Sequence, residues 1–446
     1  MRAHNTYTIS LVLAIFAVPS LTVPQSAAAQ AAPYTITDLG TLGGASSAAS
    51  GINNSGEVVG YSETAAGKTH AFLYIGGTMR DLGTLGDSET YAHRITDSGI
   101  VLGHLRNAIG RYRPFITSIG SPLFDLSSLD HSLEGPVSAA SGINNSGQVV
   151  SYRHIPKGGH SGLQKRAFLY SDHKIIDLGT FGGADSFATA VNDSGQVVGY
   201  FSPTRDVAYT PYRAFLLSGG TVIHLGNLGG RVTVPVDINN SGQVVGHAQL
   251  PSGETHAFLY SGGMMRDLGT LPGGIQSFAY GINSCGHVVG ASNSAAARLR
   301  AFLYSDGKMQ DLNRLIPAHS GWVLYEARDI NDAGQIVGNG IVNGQQRAFL
   351  LTSLSTPSKM LNNLVNTVKG LNLSRRIANK LNARLRNALD ALDSASTGGN
   401  ALALNMLDAF LNLVKAQWGK SLTDAQAKPL IAAANRIKTT LSSRDR

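Results

Sequence analysis

The chain is poor in cysteine and in charged residues. Its 446 residues include one cysteine, Cys285, so an intrachain disulfide bond is excluded. Charged side chains make up 14% of the residues, whereas hydrophobic side chains make up 43%. A chain with so little charge and so many core-forming residues is predicted to be globular rather than disordered.

The sequence also lacks a hydrophobic run long enough to span a bilayer. The first 29 residues have instead the composition of a secretory signal: Arg2, an apolar core from Ile9 to Val18, and three alanines before Gln30. The sequence therefore predicts a signal peptide at residues 1–29. The mature protein is expected to be secreted, extracellular or periplasmic, with no transmembrane segment.

Glycine is abundant, with 52 residues, and many of them belong to a recurring segment. The first copy runs from Gly51 through Asn53-Asn54-Ser55-Gly56 to Gly60. Asparagine and glycine favour a turn and the flanking Val-Val pair favours a strand, so each copy predicts a β-hairpin and not a metal loop. The leading turn position recurs at Asn53, Thr96 (in a worn copy), Asn144, Asn192, Asn239, Asn283 and Asn331.

The seven copies are spaced 43, 48, 48, 47, 44 and 48 residues apart. A period in the mid-forties is typical of one four-stranded blade of a β-propeller. An Ala-Phe-Leu segment recurs in six of the repeats, as at 71–73, and an Asp-Leu-Gly or related segment follows in the first six, as at 81–83. The pattern predicts four short strands in each repeat.

The two ends of the repeat region complete each other. The last repeat has Ala348-Phe349-Leu350 but no Asp-Leu-Gly segment after it, whereas an unmatched segment, 34–40, precedes the first repeat. A ring in which the first strand completes the last blade accounts for both ends and leaves no open edge at the closure. The sequence predicts an all-β repeat protein, a seven-bladed β-propeller over residues 34–354 that its N-terminal strand closes.

These motifs resemble a known family. The recurrent Gly-Ile-Asn…Gly-Gln-Val-Val-Gly, the His-Ala-Phe-Leu-Tyr at 70–74 and 256–260, and the Asp-Leu-Gly-Thr-Leu-Gly-Gly at 38–44 look like the HAF repeats of bacterial extracellular proteins. The resemblance covers about 320 residues. It implies an exported repeat protein and supplies no catalytic residue.

A basic residue stands before the phenylalanine segment of every repeat. These residues are His70, Arg113, Arg166, Arg213, His256, Arg300 and Arg347. A residue present in every blade usually belongs to the construction of the blade. We therefore predict that each one pairs with the aspartate of the adjacent Asp-Leu-Gly strand in a charge-assisted bond. A ring of binding residues is the alternative.

Binding residues in a propeller are expected where the repeats differ. The longest differing segments, 153–165 and 201–212, lie between the second and third predicted strands. They supply the possible ligand-binding residues His154, Lys157, His160, Arg205, Tyr209 and Tyr212. Trp322 is a further candidate because an aromatic ring can stack on a sugar, and core packing is the alternative for it.

From Pro357 onwards, leucines at helical spacing replace the strand patterns. Four amphipathic helices are predicted within residues 358–446, forming a small bundle. Thr423 and Gln426 form a capping box for the fourth, in which Pro429 is expected to cause a kink or a late start. The segments 409–423 and 430–434 resemble the FIMAH domain, a helical appendage of bacterial extracellular proteins. That resemblance implies an accessory role without chemistry.

The positive charge is concentrated in this helical region. Residues 358–446 hold 14 basic and 5 acidic residues, a net charge of +9, whereas the whole chain has +8. Five of the basic residues crowd one predicted helix: Arg375, Arg376, Lys380, Arg384 and Arg386. They are candidates for binding an anionic surface, such as an acidic polysaccharide or lipid headgroups. A solvated face is the alternative, and nucleic acid is not expected as a partner.

No familiar catalytic motif is present: there is no Gly-x-Ser-x-Gly elbow, no His-Glu-x-x-His and no phosphate-binding Gly-x-x-x-x-Gly-Lys. The sequence therefore predicts no catalytic residue, no cofactor and no metal. It favours a non-catalytic extracellular binding or scaffold protein. In this interpretation the propeller loops recognise a glycan or a cell-surface protein, and the basic bundle docks on an anionic surface. A propeller hydrolase or lyase acting on polysaccharide is the alternative.

Overall fold

The computed structural model describes residues 33–86, 89–129, 141–156, 163–204, 211–295, 298–353, 357–371, 373–393 and 399–442. Within these ranges the chain forms 28 strands and four α-helices. The strands make seven four-stranded antiparallel sheets, which confirms the predicted seven-bladed propeller. The predicted signal peptide at residues 1–29 lies outside the described residues.

Each sheet is one blade, and its first strand lies nearest the central channel. Blade one contains β2 (Gly43–Ile52), β3 (Val58–Thr64), β4 (Thr69–Ile75) and β5 (Thr78–Asp81). Blade two contains β6 (Glu89–Ile95), β7 (Val101–Arg106), β8 (Tyr112–Thr117) and β9 (Phe124–Asp125). Blade three contains β10 (Gly142–Ile143), β11 (Val149–Pro156), β12 (Leu163–Ser171) and β13 (Lys174–Gly179). Blade four contains β14 (Asp185–Val191), β15 (Val197–Ser202), β16 (Arg213–Ser218) and β17 (Thr221–His224).

The remaining blades follow the same order. Blade five contains β18 (Thr233–Ile238), β19 (Val244–Gln249), β20 (Thr255–Ser261) and β21 (Met264–Asp267). Blade six contains β22 (Ser277–Ile282), β23 (Val288–Asn293), β24 (Leu299–Ser305) and β25 (Lys308–Asp311). Blade seven contains β26 (Trp322–Ile330), β27 (Ile336–Val342), β28 (Gln345–Ser353) and, as its outermost strand, β1 (Tyr34–Asp38). The first strand of the chain thus completes the last blade, as predicted.

The recurring asparagine shapes its own turn. Oδ1 of Asn53 accepts the backbone N–H of Ser55 at 3.1 Å and that of Glu57 at 2.9 Å. Gly56 adopts a φ of 82°, which its missing Cβ permits. Equivalent pairs of bonds recur at Asn144, Asn192, Asn239 and Asn283. The predicted turns are therefore confirmed.

The same asparagines also join neighbouring blades, a role that the sequence did not predict. Nδ2 of Asn53 donates to the carbonyl oxygen of Thr96 in blade two at 3.0 Å. Bonds of this kind run from Asn144 to Asn192, from Asn192 to Asn239, from Asn239 to Asn283, from Asn283 to Asn331 and from Asn331 to Asn53. Thr96 has no amide to continue the series. A ring of six such hydrogen bonds, open between Thr96 and Asn144, surrounds the channel at this level.

The outer strands confirm most of the predicted pairs between basic residues and aspartate. The pairs are His70–Asp81, Arg113–Asp125, Arg166–Asp177, His256–Asp267 and Arg347–Asp38, at 2.6 to 3.9 Å. Each of these aspartates also accepts the backbone N–H of the residue two positions on, as Asp81 does from Gly83 at 2.7 Å and Asp125 does from Ser127 at 2.9 Å. Among the described residues the pairs predicted for Arg213 and for Arg300 with Asp311 are not formed. In blade four His224 stands in the aspartate position.

The blade cores explain two further features of the repeat. Every blade buries one phenylalanine of the third strand, and Phe72 is the example in blade one. A Cβ on Gly60 would lie 2.9 Å from the Phe72 ring and would overlap the carbonyl oxygen of Ala48. The glycine after the Val-Val pair is therefore required for the close approach of adjacent strands.

Four helices follow the propeller: α1 (Pro357–Gly370), α2 (Arg375–Asp393), α3 (Gly399–Gln417) and α4 (Asp424–Ser442). Their leucine stripes pack into one apolar core, in which Leu381, Leu407 and Leu430 are fully buried. The capping box is confirmed, because the backbone N–H of Thr423 donates to Oε1 of Gln426 at 3.0 Å and the N–H of Gln426 donates back to Oγ1 of Thr423 at 3.3 Å. Pro429 lies inside α4, five residues after its start, so the helix does not start late.

Candidate functional site at the central channel

The first strands of the blades carry a recurrent bulge at the channel. In blade two the pairing of β6 with β7 skips one residue between Ala92 and Arg94, and five other blades have the same irregularity. The residues at the bulge are Ser50, His93, Thr189, Val236, Tyr280 and Arg328. A bulge redirects a side chain, and bulges are frequent beside binding sites. Because these six residues differ in type, they distinguish one blade from another.

An ionic cluster crosses the channel one residue beyond the bulges. The Arg94 guanidinium of blade two lies 3.9 Å from the Asp237 carboxylate of blade five and 3.8 Å from the Asp329 carboxylate of blade seven. Burial raises the pKa of Asp329 to about 6, although Arg94 opposes the shift. Burial raises the pKa of Asp237 as well. Each carboxylate also accepts a backbone N–H of the next blade, from Ile282 or Ile52.

Three bulge residues approach one another from different blades. The Arg328 guanidinium of blade seven lies over the Tyr280 ring of blade six, 4.7 Å from its centroid, and 3.6 Å from the Glu326 carboxylate. Burial lowers the pKa of His93 in blade two, and the charges of His104 and Arg328 lower it further. An arginine, a histidine, a tyrosine and a carboxylate therefore converge at the channel wall.

Aromatic side chains form two rows that run outward from the channel. Each row ends near the connections between the second and third strands, and we call this side of the propeller the loop face. The first row (Tyr61, Tyr91, His104, Tyr112) spans blades one and two. Its ring centroids are 5.0, 4.8 and 4.9 Å apart in that order. Nε2 of His93 hydrogen-bonds Nδ1 of His104 at 2.5 Å. Burial lowers the pKa of His104 to about 4.

A second row (Tyr152, Phe187, Tyr200, Tyr212) occupies the equivalent positions of blades three and four. Its centroids are 4.9, 4.7 and 5.0 Å apart in order. The Lys165 ammonium lies 5.4 Å from the centre of the Phe187 ring. Burial raises the pKa of Tyr200 to about 12, so its hydroxyl stays protonated and able to donate a hydrogen bond.

The structure brings two of the predicted ligand-binding residues to the second row. His154 is buried with its ring 5.7 Å from that of Tyr152, and Tyr212 ends the row. Burial and the charge of Lys165 lower the pKa of His154. The other predicted residues of these loops, Lys157, His160, Arg205 and Tyr209, lie outside the described residues.

Trp322 lies at the start of β26, with its ring centroid 6.2 Å from that of Phe349 in an edge-to-face arrangement. It is half-buried and packs against the apolar core of blade seven. This position fits the alternative of core packing, which the sequence left open.

The helical bundle lies against the opposite side of the channel, the turn face, where the asparagine turns are. A cavity of about 520 Å³ is lined by Asp97, Asn145 and Asp193 of the turns and by Leu371 and Thr423 of the bundle. A second cavity of about 200 Å³ continues along the channel to Arg94. Cys285 also lies at this contact. Burial raises the pKa of its thiol, although a hydrogen bond with Thr367 of α1 opposes the shift.

The predicted basic face is present on α2. Arg375, Arg376, Lys380 and Arg386 are exposed, and Arg384 is half-buried. One terminal nitrogen of Arg384 donates to the carbonyl oxygen of Lys380 at 3.2 Å. Four cationic groups on one helix are thus accessible to a large anionic partner.

The channel residues were missed by sequence reasoning. Arg94, Asp237 and Asp329 occupy the position two residues before the turn asparagine, where three other repeats have glycine: Gly51, Gly142 and Gly281. A charged residue at a position that holds glycine or, at Ala190, alanine in the other repeats was the available signal. Among the described residues no group of three or more histidine, cysteine or acidic side chains is arranged to hold a metal ion. No helix among them is long and apolar enough to cross a membrane.

Comparisons with known proteins do not identify a family. No protein-family model and no curated protein matches the chain. Among solved structures, the chain is similar to the acylaminoacyl peptidase of Pyrococcus horikoshii, with 11% identity, a TM-score of 0.44, and coverage of 68% of this chain and 52% of that one. It is similar to TolB of Acinetobacter baumannii, with 8% identity, a TM-score of 0.37 and coverage of 67% and 64%.

The chain is also similar to a variant of the Aleuria aurantia lectin, with 13% identity, a TM-score of 0.33, and coverage of 70% of this chain and 97% of that one. The chain spans about half the length of the peptidase and less than two thirds of the length of TolB. These similar structures include an enzyme and a lectin, and at such low identities and TM-scores they favour neither activity.

Proposed function

We propose that this protein is a non-catalytic extracellular or periplasmic binding protein. The loop face of its propeller recognises a glycan or a cell-surface protein, and the basic face of α2 docks on an anionic surface. The proposal includes export through residues 1–29, membership of the HAF-repeat proteins and a FIMAH-like bundle. The observation that carries it is the difference between the two faces of the propeller.

The turn face repeats nearly the same residues in every blade, and the bundle lies against it. On the loop side, by contrast, the blades differ, and the two aromatic rows end there at Tyr112 and Tyr212. Tyrosine offers an apolar ring together with a polar hydroxyl, and this combination suits the mixed surface of a sugar or of a protein epitope. The variable face of the propeller is therefore the supported location for recognition.

The basic face of α2 supports the second half of the proposal. Residues 358–446 have a net charge of +9, and four exposed cationic side chains of α2 face solvent. Such a field attracts acidic polysaccharide or anionic lipid headgroups, and salt weakens the attraction between exposed charges. Docking by α2 is therefore expected to be sensitive to salt, unlike binding by aromatic rows.

A polysaccharide hydrolase or lyase is the second candidate, because Asp237, Asp329 and His93 approach Arg94 in the channel. A carboxyl group with a pKa near 6, such as that of Asp329, is suited to general acid catalysis. Both aspartates, however, already accept backbone N–H groups of the next blade, which favours a structural role. Release of reducing or unsaturated ends from a panel of polysaccharides, lost in Asp329→Asn, would support the enzyme instead.

The proposal is tested by screening the mature chain against neutral glycans, acidic polysaccharides and anionic vesicles at about 50 mM and about 1 M salt. A variant in which Arg375, Arg376, Lys380 and Arg386 are all glutamine is screened in parallel. Binding to acidic polymers at low salt is expected to disappear in this variant, whereas a glycan signal at high salt is expected to remain. If neither protein binds any ligand at either salt concentration, the glycan and anionic-surface parts of the proposal are wrong.

A further inference from the structure

The outer edges of the blades are not equally protected. The residue before the aspartate position of the outermost strand is Arg80 in blade one, Phe124 in two, Ile176 in three, Ile223 in four, Arg266 in five, Gln310 in six and Thr37 in seven. Phe124, Ile176 and Ile223 are 45%, 46% and 38% exposed. Edge strands have unpaired backbone groups, and charged side chains usually keep other strands away from them. Blades one and five have a charged residue at this position, whereas the three consecutive blades two, three and four have an exposed apolar one.

Blade four has the most accessible of these edges. All four residues of β17 are exposed, and Val222 and Ile223 are each 38% exposed. The edge strand of blade two has two residues, Phe124 and Asp125. Two residues are too short a template for an added strand. Strand β17 has four residues, and its two central residues are apolar.

Blade four also lacks an acid that other blades contain. In blade one the Asp81 carboxylate lies 2.7 Å from Nδ1 of His70, and in blade two that of Asp125 lies 2.6 Å from the Arg113 guanidinium. In blade four, His224 occupies the aspartate position, and its ring lies beside that of Phe201 at 5.8 Å. Arg213 is exposed and has no ion pair with any residue that the structure describes. Its positive charge therefore has no carboxylate of the kind the repeat normally supplies.

We propose that the edge of β17 binds an extended segment of a partner protein that has alternating apolar side chains and one carboxylate. The segment adds as a fifth strand to blade four. Its alternating apolar side chains lie on the sheet face that carries Ile223, and its carboxylate lies on the opposite face, where it pairs with Arg213. Addition of a strand uses main-chain hydrogen bonds for affinity and alternate side chains for specificity. The edge strand β17 belongs neither to the loop face nor to α2, so the proposal does not depend on the function proposed above.

Blade three is less suited to this partner although Ile176 is equally exposed. Its Asp177 carboxylate lies 3.1 Å from the Arg153 guanidinium and 3.4 Å from that of Arg166. Both arginines therefore already have a carboxylate within the blade. In blade four a partner carboxylate would meet Arg213, for which the described residues supply no carboxylate, whereas in blade three it would meet an existing ion pair.

The test is selection of a phage-displayed library of random dodecapeptides on the full mature chain. Ile223→Arg, which installs the residue type of blades one and five, is the protein for counter-selection. Gln310→Arg, which adds an arginine to the edge of blade six, is the matched control. We expect peptides with alternating apolar residues and an aspartate or glutamate to be enriched on the wild type and on Gln310→Arg, but not on Ile223→Arg.

A synthetic peptide from the selection then tests the role of the charge. His224→Asp restores the acid of the repeat beside Arg213 and is expected to weaken binding of the acidic peptide about tenfold, as is Arg213→Gln. The proposal is overturned if no peptide depends on Ile223, or if the enriched peptides lack an acidic residue. Self-association of the wild type that Ile223→Arg abolishes would also overturn it, because the edge would then bind a second copy of the chain.

Discussion

Asn331 donates its side-chain amide to the backbone carbonyl oxygen of Asn53, 3.0 Å away and 278 positions earlier in the chain. This bond joins blade seven to blade one on the turn face. At the outer edge, β1 pairs with β28 in blade seven and leads along the chain into β2 of blade one. The propeller is thus closed at two radii. The inner closure uses the same residue type that shapes every turn.

Replacing Asn331 by alanine is expected to lower the free energy of unfolding by about 2–4 kcal/mol, because buried backbone groups of Asn53 and Gln335 lose their partners. Urea unfolding followed by circular dichroism measures the change. Asn362→Ala, at an exposed position of α1, is the control and is expected to stay within about 0.5 kcal/mol of the wild type. Equal stability of the two variants would show that the ring of asparagines does not hold the blades together.

Thr96 interrupts this ring, so Thr96→Asn is expected to stabilise the protein. The new amide is placed to donate to the backbone carbonyl of Asn144, as Asn53 does to that of Thr96. Its Oδ1 would also replace the Thr96 hydroxyl, which accepts the N–H of Ile100 at 3.0 Å. One added bond corresponds to about 1 kcal/mol in the same urea experiment. A loss of stability would mean that blade two has adapted to threonine.

Removal of Arg94 is expected to lower the free energy of unfolding most at high pH. Arg94→Met leaves the Asp237 and Asp329 carboxylates buried without a cation, and we expect a loss of about 3–5 kcal/mol at pH 8. Because the pKa of Asp329 is raised to about 6, its protonation below pH 6 relieves part of this loss. Adding Asp329→Asn to Arg94→Met should restore much of the stability at pH 8 and little at pH 5. The same loss at both pH values would contradict the charge argument.

Because His104 is buried, the protein is expected to lose stability in acid. Burial lowers its pKa from 6.5 to about 4, so the unfolded chain binds the proton more readily than the folded protein between these values. Its contribution is complete above pH 6.5 and falls as the pH drops to 4, by about 2–3 kcal/mol. His104→Tyr, which copies Tyr200 of the second row, should reduce the acid sensitivity by that amount. His319→Tyr, at an exposed position, should retain the wild-type pH profile.

The sequence predicted the features that depend on contacts within one repeat and on its two ends. The unmatched segment at 34–40 indicated the closure by β1, and the pairs such as His70–Asp81 followed from residues present in nearly every blade. The contact between the bundle and the turn face was not predicted, because it joins residues such as Thr367 and Cys285 that no repeat pattern links.

The channel residues escaped prediction for a different reason. Arg328 and Tyr280 meet only because bulges in two separate blades redirect them, and hydrophobic periodicity does not register a one-residue bulge. The aromatic rows were found in part. His154 and Tyr212 lay in the two longest segments by which the repeats differ, whereas Tyr91 and Phe187 alternate with small residues and resemble ordinary strand residues.

The most direct test of recognition by the loop face is a glycan-array measurement at about 1 M salt, where attraction by α2 is screened. The wild type is compared with Tyr112→Ala/Tyr212→Ala, which shortens both aromatic rows at their outer ends, and with the glutamine variant of α2. The account predicts that the wild type and the α2 variant bind the same glycans and that the double tyrosine variant, folded by circular dichroism, loses them. Binding that survives the tyrosine substitutions, or that disappears in the α2 variant, would contradict it.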